Sequence, residues 1–339
     1  DRQRHSEQIA HHRCARWVSE EDRLSSTVTP TLSTSRSIVS HSTVVISIPV
    51  YNEARFIEAT LESVCKQCHQ DFAVLISDNA STDGTDLICK QYEARDPRFR
   101  YVRQFSNIGS ARNFEFLSAA SSSPFFAFVG GHDLLHPNYL GRHLGALISD
   151  PKLAASYTPF EYIDLHGAVI GRAQRGGLTS GRSTAPLMRY IWSMVALEVC
   201  PIHAVFRRDM MSKLPIRACP GADHLFLSNC LLNGYFQPLI GHLYQLRQFG
   251  PRGGSEAYMA RITGYANVSS SFQGLIDAYL ADFDLHFPPG SRGRILRGLA
   301  HWILRDHLGT RPVRVTKLLR SAAKRWHFVR SHLKRGGER

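Results

Sequence analysis

The sequence contains no run of about 18 apolar residues, the length that a helix needs to cross a bilayer. It has no recognisable secretory signal peptide, and because Asp1 is not an initiator methionine, the natural chain can begin upstream. The seven cysteines are an odd number without the spacing of a disulfide framework, which favours a reducing compartment. These absences predict a cytoplasmic protein that has no membrane-spanning helix.

The main part of the chain also lacks the excess of positive charge that binding to nucleic acid requires. The net charge is +13, but residues 291–339 alone contain 14 Lys or Arg and only two acidic residues. Residues 44–290 contain 21 basic and 21 acidic residues. Because nucleic-acid phosphates are bound by clustered positive charge, this balance argues against nucleic acid as a partner.

The composition changes along the chain and predicts three segments. Residues 1–43 have no hydrophobic periodicity, and 13 of the 25 residues from Ser19 to Thr43 are Ser or Thr, which is typical of a disordered leader. Residues 44–254 have the pattern of a folded α/β domain, and residues 255–339 are predicted to form a helical, basic extension.

The last part of this extension, residues 311–339, has the pattern of a basic amphipathic helix. Apolar residues recur on one helical face, and lysines and arginines lie largely elsewhere around it. This pattern suits an anionic membrane surface, which would place the protein at the inner face of the membrane. It equally suits a helix that docks on the folded domain.

Buried strands alternate with helices at a nearly constant interval. Strand patterns begin near residues 44, 72, 99 and 125, with a helical pattern between each pair. This interval is typical of βαβ units in a mostly parallel, doubly wound sheet with flanking helices. Further along we predict a hairpin from 155–163 and 168–171, a helix over 186–197, a strand over 202–206, a helix over 223–232 and a strand over 239–249.

The most unusual stretch is Gly130–Asp133, which follows the apolar run Phe125–Val129. Nothing in core packing requires two glycines and a carboxylate at the end of a buried strand. In an open α/β sheet, however, ligands bind outside the carboxyl ends of the strands. The stretch is therefore a candidate functional site.

Four motifs in a fixed order resemble those of the family 2 glycosyltransferases, which have the GT-A fold. They are Ile48–Glu53, Ser77–Thr85, Asn107–Gly109 with Arg112 and Asn113, and Gly131–Asp133 followed by Pro137–Leu140. A weaker similarity continues from Gly221–His224 to Arg247. The resemblance implies a Rossmann-like sheet and an enzyme that moves a sugar from a nucleotide-diphosphate sugar, a UDP-sugar first, to a glycan or lipid-linked acceptor. It further implies inversion and assistance by Mg²⁺ or Mn²⁺.

The resemblance also implies a set of residues that bind the nucleotide-sugar. The set is Pro49, Tyr51, Glu53, Asp78, Arg112 and His132. Tyr51 would contact a base, Asp78 would accept a base N–H, and Arg112 would meet the diphosphate beside a helix N-terminus. Glu53 would bond a base or a ribose hydroxyl, or stabilise the positive end of the next helix. A surface tyrosine, an Asx turn at Asp78 and a solvated arginine are the structural alternatives.

Asp133 is the predicted metal ligand, because a divalent cation stabilises the charge on a leaving diphosphate and prefers oxygen ligands. The family pattern has two or three acidic residues here, whereas this chain has Gly131 and His132. His132 would ligate Mn²⁺, contact the diphosphate or donor sugar, or bond only to a backbone carbonyl.

Asp223 is the predicted catalytic base, since inverting transfer needs a carboxylate that takes the proton of the acceptor hydroxyl. An N-cap of the following helix is the structural alternative, and His224 is a second candidate base.

Two other functions need to be considered. Because the motif around Asp133 has fewer acidic residues than the family pattern, the sequence also suits a catalytically weak or inactive nucleotide-sugar-binding scaffold. A nucleotidyltransferase is disfavoured because Pro49–Arg55 lacks a glycine-rich, basic phosphate loop.

Overall fold

The computed structural model describes residues 42–173, 200–211 and 222–249, together with residues 186, 189, 190, 193, 279–282 and 286. All of them belong to one unit, Ile38–Arg339. The predicted leader, apart from residues 42 and 43, the domain boundary at 254 and the basic helix at 311–339 lie outside the described residues. So does most of the helix predicted over 186–197.

Helices and strands alternate through the first half of the described chain. The helices are α1 (Ile57–Cys65), α2 (Thr85–Arg95), α3 (Ser110–Ala119), α4 (Tyr139–Ser149) and α5 (Ala222–Asn233). The strands are β1 (Val44–Val50), β2 (Phe72–Asp78), β3 (Phe99–Arg103), β4 (Phe125–Phe128), β5 (Leu134–Leu135), β6 (Leu153–Tyr157), β7 (Phe160–Ile163), β8 (Val169–Arg172), β9 (Val205–Arg207), β10 (Tyr235–Pro238) and β11 (Tyr244–Arg247). Short 3₁₀ turns span Cys200–His203 and Arg208–Met210.

Seven of these strands form the main sheet, in the order β3-β2-β1-β4-β9-β6-β10. β1 pairs in parallel with β2 and β4, and β2 pairs in parallel with β3. β9 runs antiparallel to both of its neighbours, β4 and β6. The mostly parallel, doubly wound α/β sheet that the sequence predicts is therefore confirmed.

Helices cover both faces of the main sheet, and its strands therefore bury side chains on both sides. Val44, Ile46 and Ile48 of β1 pack in one cluster with apolar residues of α1 and α4. Val45 belongs to a second cluster that includes apolar residues of α3 and α5, such as Leu117. Polar side chains are consequently concentrated at the strand ends.

A second sheet of four strands has the order β5-β11-β7-β8. β11 pairs antiparallel with β5, which follows directly after Gly130–Asp133, and parallel with β7. The small sheet therefore brings a strand from late in the chain to the carboxyl end of β4.

Several predicted strand boundaries are wrong. The strand expected over 155–163 is two strands in different sheets, β6 and β7, and Pro159 between them cannot donate to a ladder. The hairpin around 164–167 is confirmed as β7–β8. The strand expected over 202–206 begins as a 3₁₀ turn, and β9 starts only at Val205. The strand expected over 239–249 is only Tyr244–Arg247, while β5 and β10 are too short for periodicity to predict.

Gly234, at the end of α5, is enclosed on several sides. A Cβ at this position would lie 2.7 Å from Cβ of Ala154, 2.8 Å from Sδ of Met210 and 2.9 Å from the carbonyl oxygen of Lys152. We expect Gly234→Ala to lower the free energy of unfolding by about 1–3 kcal/mol, the usual cost of overpacking. Denaturant unfolding measures this change.

Gly141 in α4 provides the matched control, because a Cβ there would meet nothing within 4 Å. Since alanine is a better helix former than glycine, Gly141→Ala should keep or raise stability by up to about 1 kcal/mol. Equal stability of the two variants would contradict the packing described around Gly234.

Candidate functional site

The loops that follow β1 and β2 are joined by hydrogen bonds at the carboxyl edge of the main sheet. The backbone N–H of Asn52 donates to Oγ of Ser81 (2.9 Å), and the N–H of Thr82 donates to Oδ1 of Asn52 (2.8 Å). Asn52 and Ala80 have positive φ angles, 56° and 64°. This conformation is uncommon for residues with a side chain and marks a loop that its surroundings hold in place.

The loop after β3 joins the same network and fixes the start of α3. Nδ2 of Asn79 donates to Oδ1 of Asn107 (2.7 Å), and the N–H of Ile108 donates to Oδ1 of Asn79 (2.8 Å). In α3, Nδ2 of the buried Asn113 donates to the carbonyl oxygen of Ser77 in β2 (3.0 Å). The exposed Arg112 lies in the first turn of this anchored helix, at the edge where it was expected.

Asp78 ends β2 as predicted, but it is fully buried. Its carboxylate accepts from the N–H of Ser81 (2.8 Å), the hydroxyl of Tyr101 (2.6 Å) and Nη1 of Arg103 (2.9 Å). The expectation that this carboxylate is open to a base is therefore not met. Asp78 holds the guanidinium of Arg103, whose side chain is 40% exposed and therefore reaches the surface.

The end of β1 and the loop that follows it carry three of the predicted residues. Pro49 is half-buried in β1 opposite Ser77, and Tyr51 is 39% exposed just after the strand. Glu53 is held by its backbone, because its N–H donates to Oγ1 of Thr85 (2.8 Å). Its side chain turns toward the end of β4.

His132 lies between the carboxylates of Glu53 and Asp133. Its Nδ1 is 2.9 Å from Oε1 of Glu53, and its Nε2 is 3.9 Å from Oδ1 of Asp133. Burial lowers the pKa of His132, but the two carboxylates outweigh this effect, so the pKa lies above its ordinary value. The surroundings of His132 therefore favour positive charge.

Asp133 is 1% exposed and is bound on both oxygens by β11. Oδ2 accepts from the hydroxyl of Tyr244 (2.7 Å), and Oδ1 accepts from the N–H of Arg247 (2.8 Å). The hydroxyl of Tyr244 also accepts from the N–H of Gly130 (3.2 Å). Burial raises the pKa of Tyr244 well above its ordinary value, and the charge of Asp133 adds to the effect, so the hydroxyl remains a donor.

Arg247 fixes the backbone beside this carboxylate. Its Nε donates to the carbonyl oxygen of His132 (2.8 Å), and its guanidinium lies 4.8 Å from the ring centroid of Phe56. Phe249 packs edge-on against the rings of Phe56 (5.5 Å) and His132 (4.8 Å). The sequence assigned no role to these residues, and its only signal was the weak similarity that ends at Arg247.

The backbone at Gly130 passes close to the two polar side chains that follow it. A Cβ at this position would lie 2.6 Å from Oδ2 of Asp133 and 3.4 Å from Nε2 of His132. A side chain at position 130 would therefore collide with the carboxylate of Asp133.

The charges of Asp223 and Asp133 both influence the pKa of the same histidine, His203. Asp223 is half-buried in the first turn of α5. Burial lowers the pKa of His203, and the charges of Asp133 and Asp223 both oppose this shift. Both carboxylates therefore lie within electrostatic range of one ring, which itself packs 4.4 Å from the ring of Tyr244.

Helix α5 is anchored by Tyr279 and His286, two described residues of the predicted extension. Oγ of Ser228 lies 2.9 Å from the hydroxyl of Tyr279, and Nε2 of His286 lies 2.6 Å from Oδ1 of Asn229. These contacts, and the burial of Tyr279, show that this part of the predicted extension packs against the α/β domain.

Comparison with known proteins identifies a matching family and several relatives. The sequence model of the family described as Glycosyl transferase family 2 matches residues 45–214. Chondroitin synthase of Escherichia coli is 33% identical over 126 residues, which are 37% of this chain and 18% of that protein. The putative teichuronic acid biosynthesis glycosyltransferase TuaG of Bacillus subtilis is 29% identical over 124 residues, which are 37% of this chain and 49% of that protein. The chain thus spans less than half of either relative.

Among solved structures, S. aureus TarS 1-349 in complex with UDP-GlcNAc superposes with a TM-score of 0.56 at 16% identity. The superposition covers 76% of this chain and 72% of that one. At this identity the likeness concerns the fold, and it confirms the predicted GT-A architecture.

The bond from Tyr244 to Asp133 can be tested through stability. Tyr244→Phe removes the donor to a buried carboxylate oxygen, so we expect the free energy of unfolding to fall by about 1–3 kcal/mol. Tyr92→Phe is the matched control, because its hydroxyl donates to the exposed Glu62 (2.6 Å), where water can replace it. If denaturant unfolding shows the same fall in the free energy of unfolding for both variants, the hydrogen bond from Tyr244 to Asp133 does not stabilise the fold more than an exposed one.

Proposed function

Since this chain belongs to glycosyl transferase family 2, we propose that it transfers a sugar from a nucleotide-diphosphate sugar to a glycan or lipid-linked acceptor. A UDP-sugar is the first donor to test, and the proposed chemistry is a single displacement with inversion. The observation that carries the proposal is the convergence of Glu53, His132 and Asp133 at the carboxyl edge of β1 and β4. These residues lie inside the matched family region.

The nucleotide would bind across the loops that follow β1, β2 and β3. Tyr51 offers an exposed ring to the base, beside the half-buried Pro49. Asp78 contributes indirectly, by holding the guanidinium of Arg103 at the edge of the sheet. The diphosphate would meet Arg112 and the N-terminus of α3, where the helix dipole favours an anion.

The residues around Asp133 fit a divalent cation, Mg²⁺ or Mn²⁺. Each oxygen of Asp133 accepts one hydrogen bond and keeps a second acceptor position, and Nε2 of His132 lies 3.9 Å from Oδ1. A bound cation would stabilise the negative charge that develops on the leaving diphosphate.

Asp223 is proposed to act as the base. The acceptor oxygen attacks the anomeric carbon as the bond from that carbon to the diphosphate breaks, and the hydroxyl proton passes to the carboxylate of Asp223. Electrostatic proximity of Asp223 to the ring of His203, which also senses Asp133, supports this assignment.

Transfer activity of Asp223→Asn tests the proposal. The donor is chosen first, as the UDP-, GDP- or dTDP-sugar that raises the melting temperature with Mn²⁺ or Mg²⁺. Asp223→Asn should keep the ligand-induced shift in melting temperature but lose about 10²–10⁴-fold in kcat, because it cannot take the proton.

Asp209→Asn is the matched control, since Asp209 is an exposed carboxylate in a 3₁₀ turn and should leave kcat unchanged. A folded Asp223→Asn variant with wild-type turnover would refute the role of Asp223. Binding of the nucleotide-sugar by the unaltered protein, with neither transfer nor hydrolysis, would instead identify an inactive scaffold.

We further propose, from the sequence pattern alone, that residues 311–339 contact an anionic membrane surface. No helix among the described residues is long and apolar enough to cross a bilayer. Deleting residues 311–339 should abolish co-sedimentation with vesicles that contain anionic lipid, because the basic amphipathic face is lost. Unchanged vesicle binding after the deletion would contradict the proposal, and uncharged vesicles provide the control.

A further inference from the structure

We propose that Tyr279 and His286 are positioning residues for the proposed base, because they fix the first turn of helix α5, on which Asp223 lies. This inference rests on the proposed function and concerns two residues outside the range that matches the family. It starts from a cluster of buried polar side chains that the proposed chemistry does not use.

The cluster joins α5 to residues near positions 190 and 280, and nearly all of its members are buried. They are Tyr190, Ser193, Ser228, Asn229, Tyr279 and Asp282, each at most 5% exposed, and the half-buried His286. Buried polar side chains are costly unless they are hydrogen-bonded, and a bonded network specifies one arrangement of the parts that it joins. The cluster therefore indicates a fixed relation between α5 and the residues around it.

Two consecutive side chains of α5 bond back to the first turn of the helix. The hydroxyl of Ser228 donates to the carbonyl oxygen of His224 (2.9 Å). Nδ2 of Asn229 donates to the carbonyl oxygen of Leu225 (3.1 Å). These two carbonyl groups belong to the residues that directly follow Asp223. Because side-chain bonds of this type often bend a helix, their geometry sets the direction of the turn that carries Asp223.

Tyr279 and His286 hold these two side chains from outside the helix. The hydroxyl of Tyr279 lies 2.9 Å from Oγ of Ser228. Since the one hydroxyl hydrogen of Ser228 goes to a carbonyl oxygen of its own helix, Tyr279 is the donor in this contact. Nε2 of His286 lies 2.6 Å from Oδ1 of Asn229, and an amide oxygen only accepts, so His286 also donates. Each residue thus fixes the rotamer of a side chain that bonds next to Asp223.

Tyr190 keeps these two residues in place. Its hydroxyl donates to Oδ2 of the buried Asp282 (2.8 Å). Its ring packs edge-on against the rings of Tyr279 (6.2 Å between centroids) and His286 (6.4 Å). The two donors are therefore held at the position from which they reach α5.

A small displacement of the base is enough to change the rate of transfer. The carboxylate has to lie within hydrogen-bond distance of the acceptor hydroxyl, and a misplacement of about 1 Å can cost about 10²-fold in rate. The nucleotide would bind elsewhere, at the loops that follow β1, β2 and β3. Loss of either donor should therefore lower kcat and leave the affinity for the sugar donor unchanged.

Steady-state transfer by Tyr279→Phe tests this separation of kcat from binding. We expect kcat to fall about 10–100-fold, while the KM for the sugar donor and the donor-induced shift in melting temperature keep their wild-type values. Tyr235→Phe is the matched control, because it also removes a buried tyrosine hydroxyl from a carboxylate, that of Asp150, just beyond the other end of α5. The control should lose comparable stability and keep its kcat.

Two replacements of His286 provide a rescue experiment. His286→Leu removes the donor to Asn229 and should lower kcat, whereas His286→Gln retains an N–H donor and should recover most of the activity. Equal kcat values for the two variants would contradict the role of His286. This pair also decides the question if Tyr279→Phe does not fold.

A double variant separates positioning of the base from a general effect on the fold. In the Asp223→Asn protein the base is already absent, so adding Tyr279→Phe should leave the residual rate unchanged, although each change alone lowers kcat. A further fall of the residual rate, as large as in the unaltered protein, would overturn the inference.

The outcomes distinguish this inference from the proposed function. If Asp223→Asn loses activity but Tyr279→Phe loses no more than Tyr235→Phe, the positioning role is wrong and the transferase proposal stands. If Asp223→Asn keeps wild-type turnover, the assignment of the base fails, and the positioning role fails with it. If the unaltered protein transfers no sugar, the proposed function itself fails.

Discussion

The two hydrogen bonds from β11 to the carboxylate of Asp133 are the interaction on which the rest of the site depends. A buried carboxylate is costly unless donors satisfy it, and here the donors are the hydroxyl of Tyr244 and the N–H of Arg247. Asp133 follows a strand of the main sheet, whereas both donors belong to the small sheet. The two sheets are therefore joined at the point where the chemistry is proposed, and the position of the carboxylate depends on how the small sheet packs.

Most polar groups at the carboxyl edge are bonded to each other, which leaves few of them free for a ligand. Asn52 and Asn79 each connect loops that follow different strands, and Asp78 at the end of β2 binds Arg103 of β3. Such cross-bonding lets the loops keep their shape before a substrate arrives, so that little order has to be created on binding. The groups that remain at the surface, such as Tyr51 and Arg112, are then the ones available to the nucleotide.

The sequence predicts the parts of the fold that local patterns determine. β1 to β4 are apolar runs, and each run is followed by turn residues. The position of Asp133 just after β4 follows from that pattern. The contact of Asp133 with Tyr244 spans 111 residues, and no periodicity carries information over such a distance. The burial of Asp78 was missed for a similar reason, because the donor Arg103 comes from the neighbouring strand. Motif similarity thus identified residues at the site, while their hydrogen-bond partners required the three-dimensional structure.

The two ends of the proposed site, at Asp133 and at Asp223, are positioned by different parts of the chain. The end at His132 and Asp133 lies inside the region that matches the family, residues 45–214, although its donors come from β11. The end at Asp223 lies outside that region, on a helix that Tyr279 and His286 anchor through side-chain hydrogen bonds. Residues outside the matched range therefore position the helix of the proposed base. If the proposed function holds, the acceptor would bind at that end, so the choice of acceptor would depend on the C-terminal half of the protein, whereas the N-terminal half would bind the nucleotide.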